Sequence, residues 1–372
     1  MPEALHKLYA VPHSLFAGRA RSYLIKAGIP FREYSMGHPS FKRDVLPKAG
    51  LSTIPVLVTP DGQVIRDGAA IVEHFEAATG RPFRPTTAKQ RILSAVFDLI
   101  GTDGLFRPAM HYRWNFPDEN EAYLHSHFSD LVAASEKREE KVQSVLAMLR
   151  TRTEMRGVVP ERFELIETLY VEFLNALNRH FERVPYLFGG RPSIGDFGLI
   201  IPLYAHLGRD PAPAQLMRKT ALRVHRWVER MNRPDRDAGE FFDIGDGYLE
   251  SDEIPETLVD VLNILAEDLI PETKAAAAAI NQWLAENSPA SGEPSDRFIN
   301  KAVFNVRGEE FQAVAQPYRF YMLQEVQTLF AGLNAEEQAD VVTLLAACGV
   351  QELLDIQLDR QAGLADNLEI WL

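Results

Sequence analysis

The residues with the most chemical promise sit in one run, Thr53-Ile54-Pro55-Val56-Leu57-Val58-Thr59-Pro60-Asp61-Gly62-Gln63-Val64-Ile65-Arg66-Asp67-Gly68. Pro55 opens a strand, a place where a residue with no N–H to donate breaks no ladder. Asp67 stands at the mouth of the helix that follows. A fixed proline with a carboxylate at the next helix start suggests a site that grips a small peptide-like ligand by its backbone. Between them, Val56–Val58 and Gln63–Ile65 read as two strands joined by Pro60-Asp61-Gly62. Glycine there accepts the positive φ that tight hairpin turns need.

The elements that must position this run alternate in type. Residues 5–10 (LHKLYA) read as a strand and Ser14–Ala27 as a helix, which Gly28 and Pro30 stop. Pro30–Ser35 is a second strand, and Pro39–Lys48 a short helix or loop. After the hairpin comes a helix from Ala69 to about Thr79, closed by Gly80 and Pro82. The order β-α-β-α-β-β-α describes a small α/β unit. From Thr86 the pattern turns helical, most clearly over Glu161–Glu182, where Phe163, Ile166, Leu169, Phe173, Leu177 and Phe181 recur at spacings of three and four. Ser193-Ile194-Gly195-Asp196 reads as a helix cap in which Ser193 takes a free N–H and Asp196 reaches back. Further helices fit 215–231, 255–285, 317–331, 335–348 and 350–360. Residues 233–253 read as a long loop and 288–296 as a linker.

With 372 residues and 46% apolar content, the chain has room for two or three cores. Its net charge of −13 is uneven: residues 1–85 hold 11 basic and 7 acidic side chains, and from Glu309 onward there are 2 and 11. An acidic chain is a poor nucleic-acid binder, so no nucleic-acid partner is expected. The opening MPEALHKLYAV is broken by charge and no long uncharged apolar run follows, which argues against a signal peptide or membrane span. The single cysteine, Cys348, excludes an internal disulfide. A cytoplasmic protein is expected. No metal is expected either, since His125 and His127 are two apart and no HExxH motif occurs.

Three blocks, LYAVPHSLFAGRARSYLIKAGIPF, STIPVLVTPDGQVIRDGAAIVEHF and GGRPSIGDF, in this order and spacing, resemble the glutathione S-transferase family. The likeness is close over about residues 5–80 and looser to about 231. FNVRG at 304–308 with QPYRFYMLQEVQ is similar to the C-terminal extension of a bacterial branch of that family. The resemblance implies an α/β thioredoxin-like domain over 1–82, an all-α domain over 86–290, and a helical C-terminal extension over 291–372 packed on the helical domain. It implies glutathione as co-substrate, a small hydrophobic second substrate, and a homodimer. The activity implied is conjugation or cleavage of an apolar electrophile by the glutathione thiolate. Alternatives are a non-catalytic binding protein of the same fold and a glutathione-dependent lyase or isomerase.

Residue by residue, the resemblance makes the bond before Pro55 cis and pairs the Ile54 backbone with the cysteinyl part of glutathione. Asp67 and Gly68 would hold the γ-glutamyl group, with Asp67 on its ammonium; Gly68 departs from the usual Ser, which removes a hydroxyl contact but keeps the N–H. Ser14 falls where the family carries a Ser or Cys that activates the thiol. Its hydroxyl and the helix N-terminus would both favour thiolate over thiol. A serine at a helix start is equally an ordinary N-cap. Tyr9 is the rival activator and His13 an outsider. His38, Lys42 and Lys48 compete for the glycine carboxylate. The aromatic-rich stretch 105–116 reads either as core or as the lining of the second substrate's pocket.

Overall fold

The structure is a computed structural model that describes residues 5–132 and 135–372. The first four residues of the expected α/β domain, and Ala133 and Ala134, lie outside the described residues. The N-terminal unit runs β1 (His6–Tyr9), α1 (Ala17–Lys26), β2 (Phe31–Tyr34), α2 (Leu46–Ala49), β3 (Val56–Val58), β4 (Val64–Arg66) and α3 (Gly68–Thr79). The sheet order is β2-β1-β3-β4, with β1 parallel to β2 and the other pairs antiparallel. The β3–β4 turn closes as the sequence indicates: Gly62 has φ +90° and its N–H bonds Thr59 O at 3.0 Å. Leu8, Leu57 and Ile65 face α1 and α3, whereas Tyr9 and Val56 face the opposite layer with Phe41 and Ala49.

The helical region comprises α4 (Ala88–Leu99), α5 (Phe106–Trp114), α6 (Pro117–Ser129), α7 (Arg138–Glu154), α8 (Phe163–Phe181), α9 (Ile194–Ala205), α10 (Pro211–Thr220), α11 (Leu222–Met231) and α12 (Glu256–Asn287). The single helix expected over 215–231 is thus two, broken at Ala221. Helix α9 begins with the capping box read from the sequence: Ser193 N–H donates to Asp196 Oδ2 at 2.8 Å. Asp196 Oδ1 also accepts from Leu187 N at 3.1 Å and Trp227 Nε1 at 3.0 Å. Backbones of α4 and α9 meet directly. A Cβ on Gly101 would fall 2.0 Å from Gly198 O, and one on Gly198 2.4 Å from Asp98 Cα, so both crossings require glycine.

The C-terminal segment departs from the helical expectation. It forms a hairpin of β5 (Ile299–Val306) and β6 (Glu309–Ala315), then α13 (Pro317–Ala331) and α14 (Ala335–Ala347), then a second hairpin of β7 (Ala362–Ala365) and β8 (Leu368–Trp371). The helix expected at 350–360 is a single turn, Gln351–Leu354. Alternating burial along β5 and β6 carries a period of two rather than 3.6. Both hairpin turns place two residues at positive φ: Arg307 (50°) with Gly308 (87°), and Asp366 (47°) with Asn367 (65°). The first hairpin lies on α12, and Trp371 stacks on Trp283 of α12 at 5.9 Å.

A buried ion network ties this segment to the helical region. Arg319 of α13 bonds Asp103 through Nε (2.8 Å) and Nη2 (2.7 Å) and Glu272 of α12 through Nη2 (2.6 Å). Arg156 meets Asp103 at 2.9 Å, and Arg107 pairs with both Glu272 and Asp268. Three cations thus face three anions. Burial raises the Glu272 carboxyl, but Arg107 and then Arg319 outweigh it and hold the pKa at about 2. Removing Arg319 takes one guanidinium from each of two buried carboxylates, leaving Asp103 with Arg156 alone and Glu272 with Arg107 alone. Arg319→Ala is therefore expected to lower stability by about 3–5 kcal/mol in urea unfolding. A loss below about 1 kcal/mol contradicts the network's role.

Candidate active site

Three chain segments meet at one end of the N-terminal sheet: the turn before α1, the loop before β3 and the start of α3. The Ile54–Pro55 peptide bond is cis. Pro55 O accepts from Asp67 N–H at 3.2 Å, which joins the proline loop to the α3 start. Gly68 packs on α1, where a Cβ would lie 3.4 Å from Phe16 O and 3.5 Å from Arg19 Cδ. These contacts join Ile54-Pro55 to Asp67-Gly68 and set Gly68 against the turn that leads from Ser14 into α1. The contacts at Gly68 are ordinary, so packing alone does not demand glycine there.

The polar groups of these segments divide into committed and open ones. Asp67 caps α3: its Oδ1 accepts from Ala69 N at 2.8 Å and Ala70 N at 3.2 Å. Asp67 itself takes φ 91°, a strained value for a non-glycine residue. Ile54 N–H and C=O, Gly68 N–H, Asp67 Oδ2 and the Ser14 hydroxyl make none of the hydrogen bonds among the described residues. The helix that Ser14 was expected to open begins at Ala17, with Phe16 in the cap position and no side-chain cap bond. Ser14 is half-buried, its N–H on Val11 O at 3.0 Å, and its side chain caps nothing.

The rival residues are placed differently. Tyr9 is buried with its hydroxyl 2.6 Å from Ser40 Oγ, and its ring packs on Tyr34 and Phe41. Its hydroxyl is thus engaged on the α2 side of the sheet. His38 is exposed, with Nδ1 at 2.7 Å from the same Ser40 Oγ. Lys42 and Lys48 are exposed as well, and nothing in the structure chooses among these three. His13, beside Ser14, is buried and stacks on His127 of α6 at 4.9 Å, with Phe128 at its edge. Burial, followed by the charge of Arg113, drives the His13 pKa down to about 3.

The aromatic stretch resolves as core. Tyr112 and Trp114 are buried, and Arg107 and Arg113 are held by Asp268–Glu272 and by Asp210. Among the described residues there is no cluster of three or more His, Cys, Asp or Glu able to hold a metal, and no helix is long and apolar enough to cross a membrane. A separate cavity of about 250 Å³ lies between α3, α4 and α13, lined by Arg19, Arg84, Asp98, Tyr321 and Glu325.

Two residues that bond this region come from the C-terminal segment, and the sequence assigned neither of them a role at the site. Tyr318 of α13 donates its hydroxyl to Asp67 Oδ1 at 2.9 Å. Asn367, at the tip of the last hairpin, receives Arg66 N–H at 2.8 Å on Oδ1 and donates through Nδ2 to Val64 O and Lys48 O, each at 3.1 Å. They lie 251 residues beyond Asp67 and 301 beyond Arg66, so no local pattern links them.

Because the His13 pKa is lowered in the fold, protonation favours the unfolded chain, and stability falls as pH drops from about 6.5 toward 3. The His13 ring is expected to stay neutral from pH ~5 to ~8 in an NMR titration. A midpoint near the ordinary value of about 6.5 contradicts the burial described.

The family model described as "Glutathione S-transferase, N-terminal domain" matches residues 13–78. A search of curated proteins finds no match. Among solved structures, a glutathione transferase of Phanerochaete chrysosporium aligns at TM-score 0.42 and 14% identity, covering 62% of this chain and 97% of its own. A beta-etherase of Sphingobium aligns at TM-score 0.41 and 16% identity, covering 64% and 98%. A glutathione S-transferase of Methylobacillus flagellatus with glutathione bound aligns at TM-score 0.36 and 16% identity, covering 62% and 96%. Over residues 13–78, the chain is thus similar to the N-terminal domain of the glutathione S-transferases.

Proposed function

We propose that this protein binds glutathione against Ser14, Ile54-Pro55 and Asp67-Gly68 and uses its thiolate to conjugate or cleave an apolar electrophile. The observation that carries the reading is the set of open polar groups: Ile54 N–H and C=O, Gly68 N–H, Asp67 Oδ2 and the Ser14 hydroxyl. Each matches one part of the tripeptide. The Ile54 backbone offers a donor and an acceptor to the cysteinyl amide. Gly68 N–H, at a helix N-terminus, suits the γ-glutamyl carboxylate. Asp67 Oδ2 suits the ammonium beside it.

Ser14 acts on the sulfur. A free thiol titrates near 8.5, and lowering that by about two units requires roughly 2.7 kcal/mol of extra stabilisation of the anion. A hydroxyl donor and the partial positive charge at the start of α1 together supply an amount of that order. Ser14 is then the activator and the sulfur the nucleophile. The engaged Tyr9 hydroxyl favours Ser14 over Tyr9 in this role.

The test is retention on immobilised glutathione together with turnover of a generic aryl halide. Ser14→Ala is expected to retain glutathione binding, to raise the bound thiol's pKa by about one unit, and to lower kcat/KM at neutral pH by roughly 3- to 10-fold. Retention without turnover in the parent protein supports a binding protein instead. A silent Ser14→Ala with a crippling Tyr9→Phe moves the activating role to Tyr9.

A further inference from the structure

Asp67 is held from two sides by the C-terminal segment. Its Oδ1 takes three donors: the α3 backbone at Ala69 and Ala70, and the Tyr318 hydroxyl at 2.9 Å. Its Oδ2 takes none among the described residues. On the strand side, Asn367 grips the preceding residue, with Oδ1 on Arg66 N–H at 2.8 Å and its carbonyl on Arg66 Nε at 2.5 Å. The donors to Val64 O and Lys48 O bind the same hairpin tip to the β4 edge and to α2. Arg66 is itself buried, with Nη1 3.5 Å from Thr53 Oγ1.

Tyr318 cannot swing away freely. The next residue, Arg319, is buried in the ion network with Asp103 and Glu272, which fixes the rotation of α13 at its first turn. The phenol is half-buried, and its desolvation next to Asp67 pushes its pKa well up, so it donates throughout the working pH range. A carboxylate whose one oxygen is fixed by three donors presents the other in a set direction. Such a group has little freedom left to lose when a cation arrives.

We infer that the C-terminal segment forms a wall of the glutathione site, with Tyr318 as the positioning residue that turns Asp67 Oδ2 toward the ligand's γ-glutamyl ammonium. This rests on the glutathione reading above. It makes the segment a part of the binding site rather than an added outer layer. Tyr318 touches the carboxylate and not the reacting sulfur, so its effect falls on affinity and not on the chemical step.

The experiment is calorimetric titration of the full-length protein and of Tyr318→Phe with two peptides: glutathione, and glutaryl-cysteinyl-glycine, which lacks only the ammonium. The variant is expected to lose about 10-fold in affinity for glutathione and less than about 2-fold for the deamino peptide, with kcat at saturating glutathione unchanged. Equal losses on both peptides mean a merely structural role and overturn the inference, as does an unchanged affinity for glutathione. If the parent protein binds neither peptide, the glutathione reading itself fails, a result distinct from both. Should Tyr318→Phe not fold, Asn367→Ala carries the same test. A loss confined to the ammonium-bearing peptide supports the inference, and any other pattern overturns it.

Discussion

A buried guanidinium, that of Arg319, is the contact on which the arrangement of this chain depends. It bridges Asp103, in the turn after α4, and Glu272 in α12, while belonging to α13 of the C-terminal segment. Buried ion pairs are weak evidence of stability in themselves, because an apolar substitute of similar shape is often as good. Their better-attested use is to set register. Here the register matters: a rotation of α13 that satisfied an apolar interface equally well would still misplace Tyr318. The ion network admits the one rotation at which that hydroxyl meets Asp67.

The proposed glutathione site follows from this frame and from the N-terminal sheet. The β3–β4 ladder begins at Val56, so the Ile54 backbone lies outside it, and Pro55 O accepts the N–H of Asp67. Asp67 then serves two purposes with two oxygens, one spent on capping α3 and on Tyr318, the other open. Within the helical region, α4 and the turn after it make close backbone contact with α9 at Asp98, Gly101 and Gly198. On the far side, His13 and His127 stack as neutral rings against Phe128, giving an apolar flank beside Ser14. The chemistry proposed needs such a contrast: polar groups for the tripeptide, and a dry surface for an electrophile.

Local signals made much of this legible in the sequence. The Asp-Gly turn, the Gly28 and Gly80 stops, the Ser193–Asp196 box and the apolar face of α8 each act over a few residues, and each element formed. Ser14 shows the limit of such reading. A serine before an apolar run resembles a cap, yet the helix starts three residues later, because the intervening turn is closed by backbone bonds such as Ser14 N–H to Val11 O. The β5–β6 hairpin was hidden for another reason: its turn, Arg307-Gly308, lacks the usual Asn or Asp before glycine. Tyr318 and Asn367 were beyond reach altogether. Their partners are hundreds of residues away, and nothing near them in sequence records a contact made only after the chain has folded back on itself.

The most direct test of the account is the crystal structure of the protein grown with glutathione. The account predicts the cysteinyl backbone paired to Ile54, the γ-glutamyl carboxylate on Gly68 N–H with its ammonium on Asp67 Oδ2, and the sulfur within hydrogen-bond distance of Ser14 Oγ. A tripeptide lying elsewhere, or one at this site with its sulfur turned away from Ser14, contradicts it.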